Sequence, residues 1–113
     1  MSELINWRSD LPEAKEEARR TRRPLLLEIY LEGCPHCLRL ALETHQNPAV
    51  VEALNNRFLP VRLEGRGHMD VVRELQVTGA PTTIIFSPDG QETRRLVGFY
   101  APEEYLRELE RKG

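Results

Sequence analysis

Residues 27–40 read LEIYLEGCPHCLRL, and they carry both cysteines of the chain, Cys34 and Cys37, at the point where one residue pattern gives way to another. Upstream, Leu25 to Leu31 is a run of mostly branched or aromatic residues, too short for a helix of its own and suited to a strand buried on both faces. From Pro35 onward the pattern becomes helical. It places Leu38, Ala41, Leu42 and His45 on one apolar face and stops at Asn47-Pro48. A strand that delivers the chain to Gly33-Cys34 and turns at once into a helix is the unit around which the remaining sequence is organised.

Working outward, Asp10 has the character of an N-cap. Pro12 and Glu13 follow it, and Leu11, Ala14 and Ala18 recur at helical spacing, which predicts a helix over 11–22 ended by Pro24. After the cysteines, 49–57 reads as a shorter helix, 58–63 as a second strand and 69–76 as a helix with Val72 and Leu75 inward. Residues 82–86 form a third predicted strand. Ser87-Pro88-Asp89-Gly90 is turn chemistry, 92–97 returns as a fourth strand, and 102–111 closes with a helix whose apolar positions are Tyr105, Leu106 and Leu109. Strands joined through helices are expected to be parallel, and the last two, joined by a short turn, antiparallel. The fold class is therefore α/β, with a central mixed four-stranded sheet and helices on both faces.

Composition bounds the function. At 113 residues the chain is read as one domain over 1–113, large enough to bury a core without metal or disulfide staples. With 40% hydrophobic and 30% charged residues it has the balance of a globular protein, and a net charge of −2 offers no footprint for nucleic acid or an anionic membrane surface. No apolar run approaches the roughly 20 residues of a membrane span. The opening MSELINWRSD lacks the basic start, apolar stretch and small-residue cleavage site of a secretory signal, so a cytoplasmic location is expected. Nothing in the sequence demands more than a monomer.

On a helix, residues i and i+3 are neighbours with β-carbons about 5–6 Å apart, so Cys34 and Cys37 can be joined at the first turn without moving the fold. Pro35 suits the first helical position, which leaves Cys34 at the N-cap facing unpaired N–H groups and the positive end of the helix dipole. That setting is expected to depress its pKa below the roughly 8.5 of a free thiol. Cys37, one turn in, is expected to lie deeper and keep its proton. An imidazolium at His36 would further favour the Cys34 anion, and a more stable thiolate makes the disulfide more oxidising. The pair admits three readings. A structural disulfide would close a very small loop and is out of place in a reducing cytosol. A metal site would need His36, His45 or His68 to complete the two thiols. Redox exchange is favoured, because C-x-x-C stands beside a βαβ pattern.

Those residues carry a resemblance. The chain resembles the thioredoxin superfamily, and within it the small proteins with an extra N-terminal helix that are similar to the C-terminal domain of the thiol-disulfide interchange proteins. The likeness lies in Asn6-Trp7, RRPLLLEIYLEGCPHC from Arg22 to Cys37, NPAVVEALNNRFLPVRLE from Asn47 to Glu64, VTGAPTTIIFSPDG from Val77 to Gly90, and LVGFYAPEEYLREL from Leu96 to Leu109. It implies a thioredoxin-like three-layer fold and a thiol-disulfide oxidoreductase acting on protein disulfides or dithiols through Cys34 and Cys37, with an unidentified thiol reductant or oxidant and with no cofactor and no metal. It also implies a cis peptide at Ala80-Pro81 beside Cys34, and a substrate groove of Gly33, Pro35, Ala80 and Pro81. Glu28 falls where the family buries an acid under the second cysteine; desolvation is expected to raise its pKa and suit it to relay a proton to Cys37. Arg62 either pairs with Glu28 or is a surface cation, the latter being the plainer reading.

The chain departs from thioredoxins in having Gly33 before the first cysteine and Pro35-His36 between the two, which leaves the direction of electron flow open. The alternatives from other classes are a zinc-binding or redox-sensing module on the same scaffold, and a peptide binder in which the thiols are incidental. Of the rest, His45 reads as a boundary histidine, Trp7 as a packing anchor, His68 as exposed, and the basic run 19–23 as a solvated helix end.

Overall fold

Strand β1 (Leu25–Tyr30) runs through the middle of the sheet and is buried along nearly its whole length. The structure, a computed structural model, describes residues 4–111. Ahead of β1 lies helix α1 (Leu11–Thr21), capped by the Asp10 carboxylate, which accepts from Glu13 N–H at 2.9 Å. After it come α2 (Pro35–Arg39), a π-helical turn over Leu40–Thr44, and α3 (Pro48–Arg57), capped by Asn47. Strand β2 (Leu59–Glu64), a 3₁₀ turn over Gly65–His68 and α4 (Met69–Glu74) follow. Strands β3 (Thr82–Phe86) and β4 (Glu92–Val97) and helix α5 (Pro102–Glu110) complete the chain.

The sheet order is β2-β1-β3-β4. β1 pairs with β2 in parallel, and β3 pairs antiparallel with both β1 and β4. The antiparallel β1–β3 pair corrects the expectation that strands joined through helices run parallel. Thr82, at the start of β3, lies opposite Ile29, near the end of β1. A parallel crossover has to carry the chain back along the sheet, about 20 Å for a six-residue strand, whereas a six-residue α4 advances only about 9 Å. The chain therefore re-enters the sheet at the end it left.

Alternation along β1 builds two cores. Leu25, Leu27 and Ile29 face Leu11, Ala14 and Ala18 of α1 together with Val61 and Leu63, while Leu26 faces the other way, onto Leu40, Val50, Leu54, Tyr105 and Leu109. Glu28 shares the second face, so the fold sinks a carboxylate among apolar side chains. The two margins of the sheet differ, one bridged by backbone and the other carrying charged side chains. Arg8 makes a parallel bridge beside Val61 on β2, and on β4 Arg94 pairs with Glu108 at 3.1 Å and Arg95 with Glu92 at 2.8 Å.

The helical segment after Cys34 differs from its expected face. Leu38 and Leu42 are 60% and 51% exposed, and the inward positions are Cys37, Leu40, Thr44 and His45. Cys37, Leu40 and Thr44 keep ordinary helical spacing, so the segment buries the neighbouring stripe; at its end a π-helical turn, in which His45 N–H bonds to Leu40 O, five residues back, at 3.0 Å, brings His45 inward beside Thr44.

Candidate active site

Gly33 starts the site. Its φ of +80° is the left-handed region that side chains disfavour, and this turn swings the chain off β1 so that Cys34 becomes the N-cap of α2. Pro35 occupies the first helical turn, where its missing N–H leaves nothing unpaired. Cys34 Sγ accepts from Cys37 N–H at 3.3 Å and lies 3.7 Å from Ala80 O, to which its S–H donates. Both thiols are free; Cys34 is partly exposed and Cys37 buried. The Ala80–Pro81 peptide is cis. Gly33, Cys34, Pro35, Ala80 and Pro81 thus lie around one end of the sheet, at the end of β1 and the start of β3.

Cys37 is held as a thiol. Burial first, then its hydrogen bond to Cys34, and then the charges of Cys34 and Glu28 push it up to about 12, against a lowering backbone contact at Leu31. Glu28 stands behind the pair, fully buried. Arg62 Nε donates to Glu28 Oε2 at 3.0 Å, a contact prepared by the β1–β2 register, which sets Glu28 opposite Arg62. His45 Nε2 lies 2.9 Å from Oε1, an approach in which neither atom gains a well-aligned hydrogen bond. Burial pushes the Glu28 pKa up; His45 and Arg62 together outweigh it, and the net direction is down. This corrects the expected rise, and with it the reading of Arg62 as a surface cation and of His45 as a boundary residue. Desolvation alone was anticipated, whereas the fold supplies a basic side chain to each oxygen.

The remaining candidates take other positions. His36 is exposed. His68 Nδ1 sits 3.0 Å from Glu64 O, and among the described residues no three His, Cys, Asp or Glu side chains gather as metal ligands. Trp7 packs edge-on against the His45 ring, 5.1 Å between centroids. Sequence reasoning named Arg62 only in passing and missed the link from His45 to Glu28. The strand register carried a signal for the first. The second depends on the π-helical turn, for which the sequence shows no marker.

Residues 11–113 match the family model described as a thioredoxin-like domain. A protein disulfide-isomerase of Schizosaccharomyces pombe is 34% identical over 82 residues, covering 73% of this chain and 23% of that protein. The thiol:disulfide interchange protein DsbD of Ralstonia nicotianae is 30% identical over 107 residues, covering 91% of this chain and 18% of its own length. The chain therefore spans about a fifth of the length of either relative. Among solved structures, a thioredoxin from Thermus thermophilus superposes with a TM-score of 0.83 at 26% identity, covering 93% of this chain and 84% of that one.

Proposed function

Since this chain belongs to the thioredoxin-like family, we propose that it is a thiol-disulfide oxidoreductase working through a mixed disulfide of Cys34. The observation that carries the reading is the asymmetry of the two sulfurs. Cys34 is reachable at a helix N-cap, while Cys37 is buried behind it and kept protonated. A thiolate is the nucleophile in exchange, and an N-cap sulfur faces the backbone N–H groups that stabilise one. Cys34 attacks a partner disulfide and binds one of its sulfurs, and the other leaves as a thiolate and takes up a proton.

Cys37 then completes the exchange. Two of the causes that hold its proton, the hydrogen bond to Cys34 and the Cys34 charge, vanish once that sulfur is tied into the mixed disulfide. Cys37 gives up its proton, attacks Cys34 and releases the second partner thiol; run backwards, the same steps oxidise a dithiol. Glu28 serves as a fixed negative charge that delays Cys37, in place of the proton relay, because its oxygens already face Arg62 and His45. Extended segments of protein partners lie across Gly33, Pro35, Ala80 and Pro81, and a thiol reductant or oxidant resets the dithiol or disulfide of a monomer in the cytoplasm. Equilibration against glutathione buffers measures the direction of electron flow.

Reduction of insulin with dithiothreitol as recycling reductant tests the reading. Cys34→Ser is expected to abolish turnover, and Cys37→Ser to accumulate mixed disulfides visible by mass spectrometry. Full turnover by the Cys34 variant would overturn it.

A further inference from the structure

A cavity of about 460 Å³ opens on the flank of the dithiol away from the Ala80–Pro81 loop. Its walls are Tyr30, Leu31, Leu38 and Ala41, both cysteines line it, and Ala80 and Pro81 do not. Those two belong to the other flank, where a separate apolar hollow of about 270 Å³ takes in Ala80. The cysteines line the first of these concavities and not the second. The first cavity is the size of a small-molecule site, and it shares Gly33 and Pro35 with the groove proposed for protein partners.

One side chain gives this cavity a chemical preference. Arg62 lines it, fixed through Nε on Glu28 and stacked over the Tyr30 ring at 3.8 Å. Its two terminal nitrogens make no hydrogen bond among the described residues, and the side chain keeps 20% of its surface open. A guanidinium held rigidly with a free pair of N–H groups fits a carboxylate, which it can bind through two parallel hydrogen bonds. Glu28 already balances part of the guanidinium charge from behind, and Glu32, an exposed residue, is the acid that lines the cavity itself.

We propose that this cavity is a second substrate entrance, taking low-molecular-weight disulfides that carry a carboxylate and seating that carboxylate on Arg62. The proposal rests on the exchange reading above and assigns to the same sulfurs a class of small substrates besides proteins. The Cys34 thiolate attacks one sulfur of the small disulfide, and the first small thiolate leaves and is protonated. Cys37 loses its proton, attacks Cys34 and expels the second small thiolate, which is protonated in turn. Two electrons pass from the dithiol to the substrate, giving the Cys34–Cys37 disulfide and two small thiols, so a single turnover of pre-reduced protein needs no other reductant.

The test compares single-turnover oxidation of the full chain by 3,3′-dithiodipropionate, which is anionic, and by hydroxyethyl disulfide, which is neutral. The ratio of their rate constants, each normalised to the rate with free dithiothreitol, cancels changes in the intrinsic reactivity of Cys34. A charge-assisted contact on a partly open guanidinium predicts a ratio of about ten. Arg62→Gln should bring it close to one, whereas Arg66→Gln, an equal loss of charge on the opposite flank, should leave it largely unchanged. A wild-type ratio near one, or an equal fall in both variants, overturns the proposal while leaving protein exchange standing. Should Arg62→Gln fold poorly, Glu32→Gln replaces it: removing the opposing carboxylate must raise the ratio, and an unchanged ratio overturns the proposal. If neither disulfide oxidises the protein, the exchange reading falls as well.

Discussion

Glu28 has two carboxylate oxygens, and the fold brings one basic side chain to each. A carboxylate without hydration in an apolar core is strongly disfavoured, and opposite charge at about 3 Å is the common remedy. The consequence for pH follows from the sign of its shift. A carboxyl whose folded pKa is depressed adds stability at pH values above the unfolded value, about 4.3, and that contribution disappears as the pH falls through the folded pKa. Glu28→Gln is therefore expected to cost about 3–5 kcal/mol at pH 7, because Arg62 and His45 are left facing an uncharged amide. The gap between the two proteins should begin to narrow as the pH falls below the unfolded value, where the unfolded chain takes up the proton, and close as the pH falls through the depressed folded pKa. Urea unfolding of both from pH 7 down to pH 3 measures it, and a gap that stays constant would contradict the ion-pair account. At this scale the two cysteines, Pro35 and the position of Glu28 were legible in the sequence. The state of Glu28 was not, because it is fixed by a neighbour 34 residues later in the chain and a histidine 17 residues later.

The π-helical turn is the element that the sequence concealed. Helical periodicity of 3.6 assigns Leu38 and Leu42 to the core, and both are good helix formers with nothing local to mark them as exposed. The turn lets two adjacent residues serve the interior together: Thr44 donates to Tyr100 O at 2.5 Å and His45 reaches Glu28. Two leucines two residues apart in one segment should then respond oppositely to the same change. Leu40→Ala, at a fully buried position, is expected to cost about 2–5 kcal/mol. Leu38→Ala should stay within about 0.5 kcal/mol of wild type. Comparable losses in chemical denaturation would restore the regular helical face. Other elements were read well where a physical stop marks their ends, as Asp10 and Asn47 do at helix starts and Pro24 and the turn at 87–90 do elsewhere.

For the molecule as a whole, the class of fold and the number and sequence of strands came from periodicity and punctuation, whereas the direction of β3 did not. Direction depends on how far a connection reaches in space, and the end of α4 is blurred in the sequence because Leu75 and Val77 continue an apolar pattern after the helix has stopped. The outcome places the start of β3 beside the end of β1, and so puts the Ala80 carbonyl against Cys34. Had the third strand run the other way, the proline loop would lie at the far end of the sheet, remote from the sulfurs.

The guarded margins of the sheet matter to a protein proposed to lay foreign main chain beside Ala80. Any exposed ladder elsewhere would compete by recruiting identical molecules into ribbons, and such assembly grows with concentration. Arg8 bridges one flank, and on the other the charged side chains of Glu92, Arg94 and Arg95 disfavour that growth. Sedimentation velocity across a hundredfold dilution should therefore show one unchanging boundary. A faster species that gathers at high loading and is lost in Val97→Lys, at the exposed end of β4, would reveal a sticky flank that the charges fail to guard.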